Sequence, residues 1–394
     1  MRDSAHWSSS IASRLLRKSY LLSTLRPVVV ALLVGSAVLN LAVYLTYVDT
    51  SFGHNDFRLY YAGAEVGLRY GWSHIYDVRL HQAAVAALQP VGPWYALLTP
   101  APITWVVAPL TELGYPAAYW VWVVLSAVIL GAAVLYARPR QYSVAWYLLW
   151  WAALGPLWFS AYEGQVTILA AAGVLAGWRM LESRRDFLGG AILAAALFKP
   201  YLVLLLPLAL LVSGRTRALL GFTAVGLVAA VGMLVTLHPD GIQSYIATLL
   251  APQAAGDTAK TLGAIVGNGP AVLAIRMLVV FAVIAVAVQA RRTNAAWPVV
   301  VSALLGSFLF ATYWHPQDYL ALDAAAAIML AAGPLEVGVP MAIAVAFVSA
   351  LTNPITAHQN AVAWLLLAIL FLALLTFRAV RQAGPRRASA TLPA

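Results

Sequence analysis

The chain has 394 residues, of which 62% are hydrophobic and only 10% are charged, and its formal net charge is +10. A soluble domain normally carries about 25% charged residues, and a chain without cysteine has no disulfide, thiolate nucleophile or cysteine-bound metal. The composition therefore excludes a cytosolic enzyme, a secreted domain and a disordered chain. It indicates an all-α integral membrane protein.

The N-terminal region combines a basic segment, 1–26, with an apolar stretch at 27–48. This stretch is too long for the apolar part of a signal peptide and lacks a small-residue cleavage site, so it predicts an uncleaved anchor. The predicted organisation is a cytoplasmic basic N-terminus at 1–26, a membrane domain at 27–377 and a cytoplasmic basic tail at 378–394.

Apolar stretches of similar character recur along the rest of the chain. They lie at 27–48, 116–136, 143–160, 164–181, 187–198, 201–213, 218–237, 270–290, 297–313, 319–333, 337–352 and 361–377. The basic clusters between them are expected to share the cytoplasmic side, which requires an even number of crossings between neighbouring clusters. The pattern predicts about twelve transmembrane segments in a cell membrane, with both termini in the cytoplasm.

The first extracytoplasmic loop, 49–115, is predicted to be the longest loop. It begins with two amphipathic stretches, 57–70 and 75–89, which are typical of helices at the membrane interface. The apolar stretch at 94–110 contains prolines that break helices, and counting it as a crossing would put the next basic cluster outside. We therefore expect it to lie at the outer leaflet without crossing.

Lys199 and Pro200 interrupt the apolar stretches 187–198 and 201–213. Each stretch would make a helix of only about 20 Å, too short to span a membrane alone. Broken helices at membrane depth persist where they line a cavity, and an intramembrane charge is a functional candidate. The alternative is that Lys199 extends to the outer interface.

Polar residues outside the basic clusters gather on the predicted outer face. They are His54, Asn55, Asp56, Arg58, Tyr60 and Tyr61 in the first loop, then Glu163, Gln165, Lys199, Asn268, Arg276, Tyr313, Trp314, His315, Gln317 and Asp318. A carboxylate can take a proton from an acceptor hydroxyl, and cations can hold a phosphate. Aromatic faces can pack against sugar. The set favours sugar transfer from a lipid phosphate.

Simpler structural roles exist for these candidates. Asp56 could cap a helix that begins after it, Arg58 could extend to lipid head groups, and Tyr60 could belong to an interfacial aromatic belt. Asp318 could orient His315 across one helical turn. In addition, Asp77 is expected to stabilise the first loop, and the expected surface histidines are His74, His81, His238 and His358.

The order of four motifs resembles glycosyltransferase family 87, a group of enzymes with the GT-C fold. The motifs are HNDFRLYYAGAEVGLRYGWSHIYD from His54, EGQVTILAAAGVLAG from Glu163, GGAILAAALFKPYLVLLLPLALL from Gly189, and the Trp-His pair at 314–315. The resemblance covers roughly residues 50–320. Thr167 stands where the family usually has Asn.

The resemblance implies transfer of a hexose, with mannose favoured, from a polyprenyl-phosphate donor to a glycolipid or glycan acceptor, with inversion. It implies that Asp56 is the general base, that His315 lines the same pocket as a second catalytic residue, and that Lys199 contacts the donor phosphate. The remaining predicted donor or substrate contacts are Arg58, Glu163, Gln165, Tyr60, Asn268 and Trp314. No metal or other cofactor is expected. The expected partners are the lipid donor, the acceptor and membrane lipids, with no nucleic acid.

Two other functions remain open at this point. A twelve-segment transporter or lipid flippase usually has internal repeats and charges near the membrane midplane, whereas this chain has no obvious repeat and its polar residues are biased outward. A ligase that transfers a glycan from a lipid diphosphate should have its long outer loop late in the chain, and here that loop comes first.

Overall fold

A computed structural model describes residues 27–50, 52–89, 92, 94–251, 261–267, 269–352 and 360–383 of the chain. Throughout these ranges every regular element is a helix, and no strand occurs in them. The all-α prediction is therefore confirmed.

The helices of the first half are α1 (Pro27–Thr50), α2 (Phe57–Tyr70), α3 (Val78–Ala87), α4 (Pro102–Val107), α5 (Tyr115–Ala137), α6 (Val144–Ala152), α7 (Gly155–Tyr162) and α8 (Thr167–Glu182). Those of the second half are α9 (Asp186–Leu193), α10 (Leu206–Val212), α11 (Thr216–Leu250), α12 (Leu262–Val266), α13 (Pro270–Thr293), α14 (Trp297–Phe310), α15 (Leu320–Ala332), α16 (Leu335–Ala350) and α17 (Ala361–Ala383). Short 3-10 helices lie at Trp72–His74, Ala108–Leu113, Ala194–Phe198, Pro200–Val203 and Pro316–Tyr319.

Five described helices, α1, α5, α11, α13 and α17, are long and apolar enough to cross a membrane, and the α6–α7 pair, bent by 63°, makes a possible sixth. The protein is thus a membrane protein. Each of the other predicted apolar stretches also forms a helix, but a shorter one. A helix of 13 or 14 residues covers about 20 Å of a hydrocarbon core that is about 30 Å thick. Helix length therefore does not confirm about twelve spans, and that number remains a prediction.

Prolines and glycines break the helices where the sequence indicates. Lys199 lies outside helical geometry, with φ −133° and ψ 80°, between the 3-10 helices Ala194–Phe198 and Pro200–Val203. In α11 the chain kinks at His238, where φ is 55°, because Pro239 provides no backbone N–H. The predicted end of this apolar stretch at residue 237 coincides with the kink.

The two amphipathic stretches of the first loop form α2 and α3. Asp77 caps α3 by accepting hydrogen bonds from the N–H groups of Arg79 and Leu80 at 2.9 and 3.0 Å, so its predicted stabilising role is confirmed. Nearly every residue of α2 from Phe57 to Gly67 is buried, so this stretch does not present an apolar face to lipid. The α3 and α4 helices pack against it, and only its last turn, Leu68–Tyr70, is exposed. The position of α2 at the membrane interface stays a prediction.

No membrane-spanning helix forms in the stretch 94–110, as predicted. Its described residues contain only α4 and the start of the 3-10 helix Ala108–Leu113. Ile103, Thr104 and Val107 are buried against the rest of the loop.

Two groups of buried apolar side chains form the core of the described chain. One surrounds α2, α4 and the beginning of α5, and the other surrounds α8, α14 and α15. The α15 helix is buried over the whole stretch from Leu320 to Leu330. The turn between α7 and α8 contributes to both groups, through Val166 and Ile168. This turn therefore brings polar residues from distant parts of the chain to one place.

Candidate active site

Asp56 directly precedes α2, but its side chain does not cap the helix. The cap is Asn55, whose Oδ1 accepts a hydrogen bond from the Arg58 N–H at 2.9 Å. The Tyr115 hydroxyl also donates to Asn55 Oδ1, at 3.1 Å. The capping alternative for Asp56 is therefore wrong, and its side chain is partly exposed.

Glu163 lies beside Asp56 in the turn between α7 and α8. The Phe57 N–H donates to the Glu163 carbonyl at 3.1 Å, which joins the start of α2 to this turn. Gly164 has φ +59°, and a Cβ there would lie 2.6 Å from Phe57 Cβ, so the close approach of α2 requires glycine. Burial and the negative charge of Asp56 raise the pKa of Glu163 well above its usual value, although a hydrogen bond from the Asp56 backbone and the charge of Lys199 oppose this.

Asp318 is the centre of a second cluster and is fully buried. Its Oδ1 accepts hydrogen bonds from Lys199 Nζ at 2.7 Å and from Thr167 Oγ1 at 3.2 Å. Its Oδ2 accepts from the Tyr201 hydroxyl at 2.9 Å and from the His315 N–H at 3.0 Å. Burial alone would raise the pKa of Asp318, but the charges of Lys199 and His315 and the hydrogen bonds from these two residues lower it. Asp318 is therefore held as a carboxylate.

His315 is fixed by Asp318, although not in the way that the sequence suggested. The two residues form a reciprocal capping box at the start of Pro316–Tyr319, in which the Asp318 N–H donates to the His315 side chain. The Nε2 atom of His315 also forms a hydrogen bond with the Tyr313 hydroxyl. The ring is thus oriented by local backbone contacts and by a neighbouring phenol.

Gln317 connects the two clusters. Its Nε2 lies 3.5 Å from Asp56 Oδ2, and its carbonyl accepts a hydrogen bond from Ser160 at 3.2 Å. Its Oε1 is buried without a partner in the described part of the protein. One turn after Asp56, in α2, the buried Tyr60 hydroxyl donates to Gln165 Oε1 at 3.1 Å. Asp56, Glu163, Gln165, Tyr60, Lys199 and His315 therefore all belong to the clusters that α2, the α7–α8 turn and Pro316–Tyr319 bring together.

Arg58 has a structural environment. It is fully buried, and its terminal nitrogens donate to the carbonyls of Phe52, Val85 and Leu88 at 3.0, 2.6 and 3.1 Å. Two of these acceptors lie at the end of α3, where helix carbonyls lack intrahelical partners. The phosphate-contact prediction for Arg58 is therefore corrected: this guanidinium closes the C-terminal end of α3.

Trp314, a further predicted contact, does not line the site. Trp314 is fully buried, its Nε1 donates to the Phe308 carbonyl at 2.9 Å, and its ring packs against Phe308 and Tyr201. It is a core residue, which corrects its assignment to substrate binding. Asn268 lies outside the described residues.

Sequence reasoning underestimated four residues of the site, namely Thr167, Tyr201, Gln317 and Asp318. A signal for Asp318 existed, because a lysine at membrane depth requires a counter-ion and this carboxylate occurs on the same predicted face. Tyr201 and Thr167 carry no comparable signal, since a hydroxyl on an apolar helix is compatible with many roles.

His81, expected on the surface, is buried. Its Nε2 pairs with the Leu59 carbonyl at 3.0 Å, and the Trp94 indole donates to its Nδ1 at 2.9 Å. Of the other expected surface histidines, His74 and His238 are exposed and His358 lies outside the described residues. Among the residues that the structure describes, no group of three or more His, Asp or Glu side chains could hold a metal ion.

Helices of membrane-spanning length around two joined clusters of carboxyl, ammonium, imidazole and phenol groups define an integral membrane protein with a buried polar site. The chain matches the model of glycosyltransferase family 87 over residues 98–334, which is more than half of its length. It belongs to glycosyltransferase family 87 and is therefore an enzyme that transfers sugars. No curated protein and no solved structure matches the chain.

The family match bears on one of the two functional alternatives. Membership in a glycosyltransferase family removes the transporter and flippase alternatives. The matched residues include Glu163, Lys199 and His315, whereas Asp56 precedes them.

Proposed function

We propose that this enzyme transfers a hexose, with mannose the favoured sugar, from a polyprenyl-phosphate donor to a hydroxyl group of a glycolipid or glycan. The observation that carries the proposal is the juxtaposition of the partly exposed, non-capping carboxylate of Asp56 with a cluster that contains Lys199 and His315. One group can accept a proton, and the others can stabilise a phosphate, which are the two requirements of sugar transfer from a lipid phosphate.

Asp56 is the general base. The acceptor oxygen forms a bond with the anomeric carbon while the bond from that carbon to the phosphate oxygen breaks. The acceptor proton moves to Asp56, and the electron pair of the broken bond leaves with the polyprenyl phosphate. Attack from the face opposite the phosphate inverts the anomeric centre. Burial and the negative charge of Asp56 raise the pKa of Glu163, which favours the neutral form of Glu163 beside Asp56.

Lys199 and His315 bind the donor phosphate. An ammonium group has three donors, and Asp318 accepts one of them from Lys199. Asp318 holds the lysine at the break between the two short helices, and Tyr201 donates to the other oxygen of the same carboxylate. The leaving phosphate is already an anion, so its departure requires no proton from the protein. The buried, unpartnered Oε1 of Gln317 suits a hydroxyl of the sugar.

The proposed enzyme has the GT-C fold with about twelve membrane segments, and its active site faces the extracytoplasmic side of the cell membrane. The basic loops between the apolar stretches support this orientation, with both termini in the cytoplasm. The donor lipid reaches the site from the outer leaflet. No metal or other cofactor takes part in the proposed mechanism.

The test is transfer from radiolabelled polyprenyl-phosphate mannose to a membrane lipid extract by the purified protein. We expect Asp56→Asn to reduce the rate by about 10²–10⁴-fold, as for loss of a general base. The matched control is Asp77→Asn in the same loop, because asparagine caps a helix as well as aspartate does. Its rate should stay within about twofold of the wild-type rate. Full activity of Asp56→Asn would remove Asp56 from the mechanism.

The donor sugar and the stereochemistry are tested separately. A panel of polyprenyl-phosphate hexoses should show the highest rate with mannose, and the anomeric configuration of the product should be opposite to that of the donor. Retention of configuration would contradict the single-displacement mechanism. A higher rate with another sugar would change the substrate but leave the roles of Asp56 and Lys199 intact.

A further inference from the structure

A polar cavity lies at the opposite end of the helices that carry the candidate active site. Its volume is ≈ 320 Å³, and its lining includes Arg138, Arg140, Arg179 and Trp178, with Ala331 and Ala332 providing small side chains on one wall. We call this cavity the basic pocket. It is formed by the C-terminal ends of α5, α8 and α15 and by the chain that follows α5.

The same helices connect the basic pocket to the candidate active site. The α8 helix begins at Thr167, which donates to Asp318, and α15 begins directly after Pro316–Tyr319. With a rise of 1.5 Å per residue, α8 and α15 place the pocket about 20 Å from the active-site cluster. The pocket therefore lies on the side that the sequence predicts to be cytoplasmic, and it is separate from the sugar-transfer site.

The charge of the basic pocket is positive and is not neutralised by the described acidic side chains. None of these acidic side chains forms an ion pair with Arg138, Arg140 or Arg179. Arg138 donates to the carbonyls of Pro139 and Tyr142, which orients its guanidinium within the loop. Because an arginine provides five N–H donors, this leaves further donors for a ligand.

Glu182, the acidic residue that lines the basic pocket, already accepts hydrogen bonds from other groups. Glu182 Oε1 accepts hydrogen bonds from the Trp178 indole at 3.3 Å and from the backbone N–H groups of Ala296 and Trp297 at 3.1 and 2.9 Å. These N–H groups lie at the start of α14, where a carboxylate is favourable. Glu182 therefore joins α8 to α14, and the arginines keep their excess of positive charge.

We propose that the basic pocket binds a phosphate group, carried by an anionic lipid or present as free phosphate. Arginine forks match phosphate oxygens in pairs of hydrogen bonds. The pocket volume of ≈ 320 Å³ leaves room for a phosphate ester, because one water molecule occupies only about 30 Å³. Basic pockets between membrane helices on the cytoplasmic side suit anionic lipid head groups. This proposal does not depend on the sugar-transfer proposal.

The test compares binding of dioleoylphosphatidylglycerol and of inorganic phosphate to the delipidated full-length protein in neutral detergent. The pocket variant combines Arg138→Gln, Arg140→Gln and Arg179→Gln. The control variant combines Arg184→Gln, Arg185→Gln and Arg217→Gln, which removes the same charge from exposed positions outside the pocket. We expect at least a tenfold higher Kd for the lipid in the pocket variant and a change of less than twofold in the control.

The two phosphate sources give different results with the wild-type protein. Displacement of the lipid by inorganic phosphate identifies the phosphate group alone as the ligand, whereas binding of the lipid without displacement identifies the lipid head group. Equal weakening in the pocket and control variants would overturn the proposal, because it would indicate general attraction to positive charge. Unchanged binding in the pocket variant would also overturn it.

A single substitution provides a second test in case the triple variant does not fold. Arg140 is exposed, so Arg140→Gln should fold even where the triple variant does not, and thermal unfolding in detergent verifies this. We expect the single variant to raise the Kd for the lipid at least threefold, while Arg184→Gln leaves it unchanged. Equal Kd values for these two single variants would contradict the assignment.

Discussion

Two carboxylates of the candidate site are held in opposite ways. Asp318 is fully buried and accepts hydrogen bonds from Lys199, Thr167, Tyr201 and a backbone N–H. Asp56 is partly exposed, and the Gln317 amide lies 3.5 Å from it. A carboxylate surrounded by short donors is stabilised in its charged form and gives up its role in proton exchange. The difference indicates that Asp318 positions Lys199, whereas Asp56 is the general base in our proposal.

The largest stability effect should come from the Lys199–Asp318 pair. Lys199→Met leaves the charge of Asp318 buried without its cation, and loss of one member of a buried ion pair costs about 3–5 kcal/mol. The unfolding free energy of the purified variant in mixed micelles measures this loss.

The control removes both charges. Lys199→Met combined with Asp318→Asn should recover part of the lost stability, because no uncompensated charge remains, while sugar transfer stays impaired. If the single variant were as stable as the wild-type protein, Asp318 would not be held by this pair, and its contrast with Asp56 would fail.

Arg58 should have the next largest effect. Arg58→Met removes three hydrogen bonds of a charged group, although the Phe52 carbonyl keeps the Tyr115 hydroxyl as a donor and the Val85 carbonyl keeps the Leu88 N–H. We expect a loss of about 2–4 kcal/mol, because the Leu88 carbonyl loses its donor and an unsatisfied buried group costs about 1–3 kcal/mol. Arg69→Met on the same helix is the control. Its exposed pair with Glu65 at 3.5 Å should contribute less than about 1 kcal/mol. Equal stability of the two variants in unfolding experiments would return Arg58 to the list of phosphate contacts.

Neighbouring residues at the start of α2 provide a smaller and sharper test. Asn55→Ala removes the cap and should lower the unfolding free energy by about 1 kcal/mol. Asp56→Ala should change it by less than about 0.5 kcal/mol, since the Asp56 side chain is partly exposed and makes no capping hydrogen bond. The opposite order of stabilities would show that Asp56 supports the helix, and would weaken its assignment as the base.

The smallest effect concerns pH and lies in the loop that holds Asp56. Burial lowers the pKa of His81, although its contact with the Leu59 carbonyl opposes this. Since the unfolded chain then binds the proton more readily, the stability from neutral His81 is present above about pH 6.5 and declines as the pH falls below this value. His81→Gln should flatten the pH dependence of thermal unfolding between pH 7 and 5, whereas His74→Gln, at an exposed position, should not. An unchanged slope in His81→Gln would contradict the buried neutral ring.

The helix breaks show how far local sequence information reaches. The interruption at Lys199 and Pro200 and the absence of a spanning helix in 94–110 were predictable, because a proline beyond the first turn of a helix removes a hydrogen bond and clashes with the preceding turn. The environment of α2 was not predictable from its amphipathic pattern. One apolar face is compatible with a lipid interface, and only the packing of α3 and α4 against the helix reveals that nearly all of it before the last turn is buried.

The sequence by itself determined the membrane-embedded helical class, the positions of the helices and the polar residue types available for sugar transfer. These properties depend on the lengths of apolar stretches, on prolines and on chemical groups that are visible residue by residue. Only the tertiary structure decided that Lys199 pairs with Asp318, that Arg58 binds carbonyls of α3, and that Asn55 rather than Asp56 caps α2. The buried cations have acceptors 119 residues away for Lys199 and 27 and 30 residues away for Arg58. At the start of α2, two neighbouring residues are chemically equivalent caps, so packing had to select between them.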